Sequence, residues 1–195
     1  MKPLFDFTLS LLLVLLLAPL LLLLSLWVRL DSEGPVFYLQ ERVGWQGTTF
    51  RIFKFRTMHS DADKKGLLTV GGRDPRITRA GYYLRRYKLD ELPQLFNVLR
   101  GEMSLVGPRP EVMKYVSLYT PEQRKVLNIK PGITDYASIA FANENELLGK
   151  SADPETTYVN EIMPTKLQLN LKYMQEQNFF TDIKILFRTV VRIIS

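Results

Sequence analysis

Residues 85 to 111 read RRYKLDELPQLFNVLRGEMSLVGPRPE. Two adjacent carboxylates, Asp90 and Glu91, precede a stretch in which apolar residues recur at the spacing of one helical face. The residues at that spacing are Leu92, Leu95, Phe96 and Leu99. Pro93 falls in the first turn, where a missing N–H costs no hydrogen bond, and Gly101 favours a helix stop. The stretch therefore predicts a short helix that begins at the acidic pair.

The acidic pair lies between two arginines in the sequence, a pattern that suits phosphate chemistry. Free N–H groups at a helix start favour an ionised carboxylate, which can attack phosphorus or bind Mg²⁺. Arginine offers a planar, permanently charged group that fits phosphate oxygens. The sequence thus proposes Asp90 and Glu91 as catalytic and metal-binding residues, with Arg85 and Arg109 as phosphate-binding residues. The alternative is that Asp90 only caps the helix and Glu91 is a first-turn surface charge.

The composition narrows the chemistry further. The chain has no cysteine and a single histidine, His59. This excludes thiol catalysis, disulfides and cysteine-bound zinc, and it leaves little room for a serine–histidine relay. The net charge of +6 indicates an anionic partner, which could be nucleic acid, lipid headgroups or a phosphorylated small molecule. Nucleic acid is disfavoured, because the basic residues are dispersed and no recognition motif stands out.

The N-terminal segment is apolar enough to enter a membrane. Residues 7–28 carry no charged side chain, and a helix of that length could just cross a bilayer core of about 30 Å. Pro19 lies near the middle, so a bend or break of the helix is predicted there. A kinked span would put Lys2 and Arg29 on opposite sides of the membrane, whereas a re-entrant hairpin would keep both on one side. These residues alone leave the two geometries open, although two basic flanks mildly favour the second.

The rest of the chain predicts an α+β fold that is mostly helical. Two β-prone runs, 36–40 and 50–55, are joined through glycines and predict a small β-hairpin. Residues 60–76 predict either a mobile surface loop or a disordered connection. Helix starts are expected at the capping box of residues 120–123 and at residues 153–155.

The C-terminal segment 179–194 predicts an amphipathic helix. Lys184, Arg188 and Arg192 are spaced four residues apart, so they form a basic stripe on an otherwise apolar helix. Such a helix suits the headgroup region of an anionic membrane. The alternative is a helix that packs into the core and keeps a solvated basic edge.

Residues 88–110 resemble the signature sequence of bacterial sugar transferases, the monotopic phosphoglycosyl transferases. Further matches are the stretches 40–44 (QERVG), 53–58 (FKFRTM) and 130–134 (KPGIT), together with the apolar N-terminal segment and its central proline. The likeness covers most of the chain, whose length is that of the small members of the family.

The resemblance implies a definite reaction. It implies transfer of a phosphosugar from a UDP-sugar to a polyprenol phosphate such as undecaprenyl phosphate, with release of UMP, as the first membrane step of glycoconjugate assembly. Asp90 would be the nucleophile on the β-phosphate and form an aspartyl–phosphosugar intermediate. Glu91 would complete the pair and be linked to Mg²⁺, and Arg85 and Arg109 would bind phosphate.

The resemblance also implies a place in the cell. Residues 1–30 would form a re-entrant membrane helix bent at Pro19, and residues 31–195 a catalytic domain on the cytoplasmic face of the bacterial inner membrane. Membrane lipids are then partners, and a homodimer is left open. Two alternatives compete: a non-catalytic membrane-surface protein whose arginines bind anionic lipid, and a hydrolase that uses water as acceptor.

The chain departs from the family pattern at one place. After residues 130–134 many relatives continue with glycine, tryptophan, alanine and glutamine, whereas this chain has Asp135, Tyr136, Ala137 and Ser138. If this segment touches the nucleotide or the sugar, donor preference is expected to differ.

Overall fold

The computed structural model describes residues 2–60, 62, 68 and 74–194. Its helices are α1 (Lys2–Asp31), α2 (Arg79–Arg86), α3 (Gln94–Leu99), α4 (Met113–Val116), α5 (Tyr136–Ala140), α6 (Glu144–Gly149), α7 (Pro154–Thr157), α8 (Met163–Glu176) and α9 (Phe179–Ile194). Its strands are β1 (Phe37–Val43), β2 (Thr49–Phe55), β3 (Ser104–Val106) and β4 (Gly132–Thr134). The prediction of a mostly helical chain with a small sheet and a long apolar N-terminal helix is confirmed. Most of the predicted loop 60–76 lies outside the described residues.

Strands β1 and β2 form the predicted hairpin. They pair antiparallel, with Gln40 opposite Ile52, and the connection closes with a hydrogen bond from Gly44 N to Thr48 O at 2.7 Å. Alternation along β2 places Lys54 on the same face as the buried Ile52. The hairpin thus carries a lysine toward the interior of the protein.

Strands β3 and β4 form a second, parallel pair that the sequence did not predict. Each strand has only three residues, too few to show an alternating pattern. Glycine is required where the two segments meet, because a Cβ on Gly132 would lie 2.1 Å from the backbone N of Gly107. This close approach fixes the loop that follows β3, which carries Arg109.

Helix α1 runs from Lys2 to Asp31 with Pro19 inside it, so the chain stays helical there, and the bend at Pro19 stays a prediction. A proline removes only one backbone donor, and the adjoining turns keep their own hydrogen bonds. One face packs on the rest of the chain through Leu9, Leu13, Leu17, Leu21, Leu24 and Val28. Other side chains are exposed leucines: Leu4, Leu12, Leu15, Leu16, Leu22, Leu23 and Leu26. The helix is long and apolar enough to cross a membrane.

Both ends of α1 are held by polar contacts with the same folded body. At the start, Lys2 Nζ lies 2.5 Å from Asp182 Oδ2 on α9, and Ser104 Oγ donates to Asp6 Oδ2 at 2.6 Å. At the end, Ala80 N donates to Asp31 Oδ2 at 2.9 Å. The helix therefore lies along the protein and does not project away from it.

The other helix predictions are confirmed in outline but differ at their ends. The predicted capping box is present, since Thr120 N donates to Gln123 Oε1 at 2.9 Å and Gln123 N to Thr120 Oγ1 at 3.3 Å, but the turn it opens, Gln123–Asn128, is a 3₁₀ helix. Asp153 caps α7 by accepting from Thr156 N at 3.2 Å. A π-helical turn, Tyr158–Ile162, then leads into α8.

Helix α9 packs on the protein through only part of its surface. Asp182 and Ile185 are buried, whereas Phe180, at 82% exposure, and Phe187, at 69%, are not. The basic side chains Lys184, Arg188 and Arg192 are exposed as well. The helix thus leaves both apolar and basic groups uncovered, and its membrane role stays a prediction.

Candidate active site

The acidic pair lies in a 3₁₀ turn, Leu89–Glu91, between α2 and α3. Lys88 enters this turn with φ of 55°, a left-handed conformation that is uncommon outside glycine. Helix α3 begins only at Gln94, whereas the sequence predicted that the helix starts at the pair. The two carboxylates are therefore positioned by a separate 3₁₀ turn and not by the first turn of α3.

Asp90 is a buried carboxylate with one unused oxygen. The residue is 8% exposed, and its Oδ1 is buried without a hydrogen-bond partner among the described residues. Burial and the neighbouring Glu91 raise the pKa of Asp90, while Lys54, Arg85 and Lys88 oppose that shift. Burial thus works against the effect of a helix start, whereas the cations of the site favour the ionised carboxylate.

Glu91 is held by two cations. Arg109 donates to both carboxylate oxygens, from Nη1 to Oε2 at 2.9 Å and from Nη2 to Oε1, and Lys54 Nζ lies 3.4 Å from Oε1. Burial alone would raise the pKa of Glu91, but Arg109 and Lys54 outweigh it and hold that pKa well below its ordinary value. The cations thus favour the ionised form of Glu91.

The structure brings the predicted site residues together. The guanidinium group of Arg109 donates to Glu91 and also to Ile133 O at 3.3 Å, and its binding of phosphate stays a prediction. Arg85, on α2, is close enough to oppose the rise in the pKa of Asp90.

Lys54 is the site residue that the sequence reasoning missed. Burial lowers the pKa of Lys54, and the Glu91 carboxylate opposes that shift. The signal was available, since Phe50, Ile52 and Lys54 alternate and so place a lysine on the apolar face of the predicted strand.

A cavity of about 1200 Å³ opens onto the acidic pair. Its walls differ in character. Cationic side chains, among them Lys54, Arg85 and Lys88, lie near the pair. An apolar wall is supplied by α1 and α9 through Leu9, Leu13, Leu17, Leu186, Val190 and Ile193. A third wall, supplied by α5 and α8, mixes apolar side chains with Ser138, Lys166 and Asn170.

Asp90 has an oxygen that could bind a cation. Its unpartnered oxygen fits a ligand of Mg²⁺, which commonly uses one or two carboxylates and completes its shell with substrate oxygens and water. Both oxygens of Glu91 already have partners. Across the part of the chain that the structure describes, no group of three His, Asp or Glu side chains could hold a metal ion.

The segment that departs from the family pattern meets the site through Asp135. This residue is fully buried, and its carboxylate accepts from Ser138 N at 2.5 Å and from Arg109 N at 3.2 Å. Ser138 borders the cavity. Tyr136 instead packs edge-on against Tyr173 at 6.2 Å, so only one of the three differing positions, Ser138, borders the cavity.

The sequence profile of the bacterial sugar transferases matches residues 1–195, the whole chain. The chain belongs to the bacterial sugar transferase family. An undecaprenyl-phosphate glucose phosphotransferase of Komagataeibacter xylinus is 41% identical over 98% of this chain. The uncharacterised sugar transferase EpsL of Bacillus subtilis is 38% identical over 100% of it, and a UDP-glucose:undecaprenyl-phosphate glucose-1-phosphate transferase of Escherichia coli is 37% identical over 96%.

This bacterial sugar transferase spans different shares of those relatives. It covers 87% of EpsL, 35% of the Komagataeibacter xylinus protein and 39% of the Escherichia coli protein. The prediction of family membership is confirmed.

Proposed function

We propose that this bacterial sugar transferase moves a phosphosugar from a UDP-sugar to a polyprenol phosphate, such as undecaprenyl phosphate, and releases UMP. The observation that carries the proposal is the buried Asp90 carboxylate, which has an unused oxygen at a cavity lined by cations on one side and apolar side chains on another. Three relatives named as transferases of glucose 1-phosphate or glucose to undecaprenyl phosphate support the choice of substrates.

The reaction proceeds in two displacements at one phosphorus atom. An Asp90 oxygen bonds to the β-phosphorus while the bond to the UMP oxygen breaks, and UMP leaves with the electron pair. A phosphate oxygen of the lipid then attacks the same phosphorus and frees the carboxylate. The soluble donor and the membrane-bound acceptor need never be bound together, which gives ping-pong kinetics.

The charged residues around Asp90 have different roles in the proposed reaction. Glu91 and Arg109 form a fixed ion pair beside the nucleophile, and Lys54 adds a positive charge. Arg85 and Lys88 leave the Asp90 side of the site electropositive, which suits a diphosphate. A Mg²⁺ ion bound through Asp90 would neutralise diphosphate charge and assist departure of UMP.

We infer a re-entrant geometry for α1, with both ends on the cytoplasmic side of the inner membrane. Support comes from the contacts that hold Lys2 and Asp31 to one folded body, since a straight span would separate them by a bilayer. The exposed leucines of α1 and the exposed phenylalanines of α9 would meet lipid. The division at residues 30 and 31 and a homodimer stay predictions.

Cysteine labelling tests this geometry without background, because the chain has no cysteine. Pro3→Cys and Glu33→Cys, both at exposed positions, should react with a membrane-impermeant maleimide in inside-out vesicles and not in intact cells. Leu16→Cys, 75% exposed on the protein, should stay unreactive in both, because lipid covers it. Labelling of either terminal position from outside the cell would show that α1 spans the membrane.

Release of UMP tests the proposed function. The purified protein in detergent is incubated with Mg²⁺, undecaprenyl phosphate and, in turn, UDP-glucose, UDP-galactose, UDP-N-acetylglucosamine and UDP-N-acetylgalactosamine. We expect at least one donor to give UMP and a lipid-linked phosphosugar, both dependent on the lipid. UMP with free sugar phosphate and no lipid product would identify a hydrolase. No UMP from any donor would favour the lipid-binding alternative.

A further inference from the structure

Besides Asp90 Oδ1, two buried polar atoms of residues that border the cavity have no hydrogen-bond partner among the described residues. They are Oγ of Ser138, in α5, and Oδ1 of Asn170, in α8, and Asn170 is only 4% exposed. A buried polar group without a partner costs about 1–3 kcal/mol, so native proteins keep few of them. Two on one wall of a cavity indicate a ligand that completes them.

The charged groups around these atoms are already neutralised by each other. Lys166 lies four residues before Asn170, on the same face of α8. Its Nζ lies 2.8 Å from Glu144 Oε2 and sits over the Tyr158 ring, 5.4 Å from the centroid. This wall therefore offers neutral hydrogen-bonding groups and a compensated ion pair, not a site for phosphate.

The wall is connected to the reaction centre through consecutive contacts. Asp135 accepts from Ser138 N and from Arg109 N, and Arg109 in turn holds Glu91. The other cations that act on Asp90 are Lys54 on β2, Arg85 on α2 and Lys88 in the turn that follows α2. The cations near Asp90 thus come from β2, α2 and the turn after α2, whereas α5 and α8 present neutral polar atoms without a partner among the described residues.

We propose that Ser138 and Asn170 form the subsite that recognises the sugar of the donor. This inference rests on the proposed function, because a sugar is the uncharged group attached to the β-phosphorus. The Asn170 oxygen can only accept, so it requires a hydroxyl or amide N–H of the sugar, while the Ser138 hydroxyl can donate or accept.

Binding to two probes separates sugar recognition from nucleotide recognition. With Asp90→Asn as the background to prevent turnover, affinities are measured for UDP and for the UDP-sugar that the unaltered protein uses best. Ser138→Ala and Asn170→Ala should each weaken binding of the UDP-sugar about tenfold, the effect of one lost hydrogen bond, and leave the affinity for UDP unchanged. With Asp90 intact, the donor KM should rise while the KM for undecaprenyl phosphate stays the same.

Ser10→Ala is the matched control. Ser10 Oγ is equally buried and unpartnered among the described residues, but it lies on α1 and does not border the cavity, so its removal should change neither affinity. Equal losses of affinity for UDP and for the UDP-sugar would assign the wall to the nucleotide and overturn the proposal. An unchanged affinity of Ser138→Ala for the UDP-sugar would also overturn it. If Asn170→Ala fails to fold, Ser138→Ala alone decides the test. If the unaltered protein uses no donor, the proposed function itself fails and the subsite with it.

Discussion

Replacement of Asp90 by asparagine is expected to lower the rate of lipid-dependent UMP release about a thousandfold or more, because the amide cannot displace UMP from phosphorus. The same change is expected to stabilise the fold. At neutral pH the native protein keeps a buried carboxylate with an unpartnered oxygen, and asparagine removes that charge at almost constant volume. A rise in melting temperature of about 2–4 °C per kcal/mol gained should accompany the loss of activity.

The stability gain should depend on pH in a defined direction. Folding raises the pKa of Asp90 above its unfolded value, so the native state binds the proton more tightly than the unfolded chain does. The contribution of protonated Asp90 to stability is complete below its unfolded pKa of about 3.9 and is lost as the pH rises through the folded pKa. Asp90→Asn should therefore exceed the unaltered protein in stability above the folded pKa, and the difference should vanish in acid.

Glu122→Gln is the control for this experiment. Glu122 is 65% exposed and pairs with Lys125 on the surface, away from the cavity, so its replacement should change neither UMP release nor melting temperature. Substantial turnover by Asp90→Asn would refute the nucleophile assignment. Unchanged stability would refute the view that Asp90 is held in an unfavourable environment for the sake of the reaction.

Glu91→Gln is the second variant with a large expected effect, and here activity and stability should fall together. The change leaves Arg109 and Lys54 without their shared carboxylate, and breaking such a pair costs about 3 kcal/mol. Folding lowers the pKa of Glu91, so the stability that the ionised side chain contributes is complete above its unfolded pKa of about 4.3 and is lost as the pH falls through the folded pKa. The difference in stability between the unaltered protein and Glu91→Gln should follow the same pH dependence. Denaturant unfolding at several pH values measures both quantities.

A double variant separates charge balance from catalysis. Glu91→Gln with Arg109→Met removes both members of the main ion pair, so it should recover part of the stability while leaving UMP release as low as in Glu91→Gln alone. Recovery of activity would show that Glu91 only balances Arg109. A mild effect of Glu91→Gln on turnover would likewise deny Glu91 a part in the reaction.

Much of the architecture could be predicted because it depends on local patterns. The apolar run of α1, the alternation of the hairpin and the proline-rich turn after β3 each need a particular residue composition at a particular spacing. Gly101, with φ of 75°, ends α3 as its position in the sequence indicated. The acidic pair could be identified for the same reason, since adjacent carboxylates between arginines are visible without a fold.

The remaining features depend on contacts between distant segments. The Lys54–Glu91 pair joins residues 37 apart, and the burial that raises the pKa of Asp90 depends on how the surrounding elements pack. Strands β3 and β4 pair only because Gly107 and Gly132 allow close approach. The sequence marks Ser138 as a departure from the family pattern, but nothing in it marks Asn170, because a buried amide without a partner results from the packing of distant segments.

The proposed mechanism depends on a covalent bond between Asp90 and phosphorus. The most direct test of that bond is mass spectrometry of the enzyme quenched during a single turnover. The protein is mixed with the UDP-sugar it uses best, without undecaprenyl phosphate, quenched and digested. We expect the mass of one phosphosugar on the peptide that contains Asp90, and its loss when the lipid is added before the quench. An adduct on another residue, or no adduct under conditions in which UMP is released, would contradict the account.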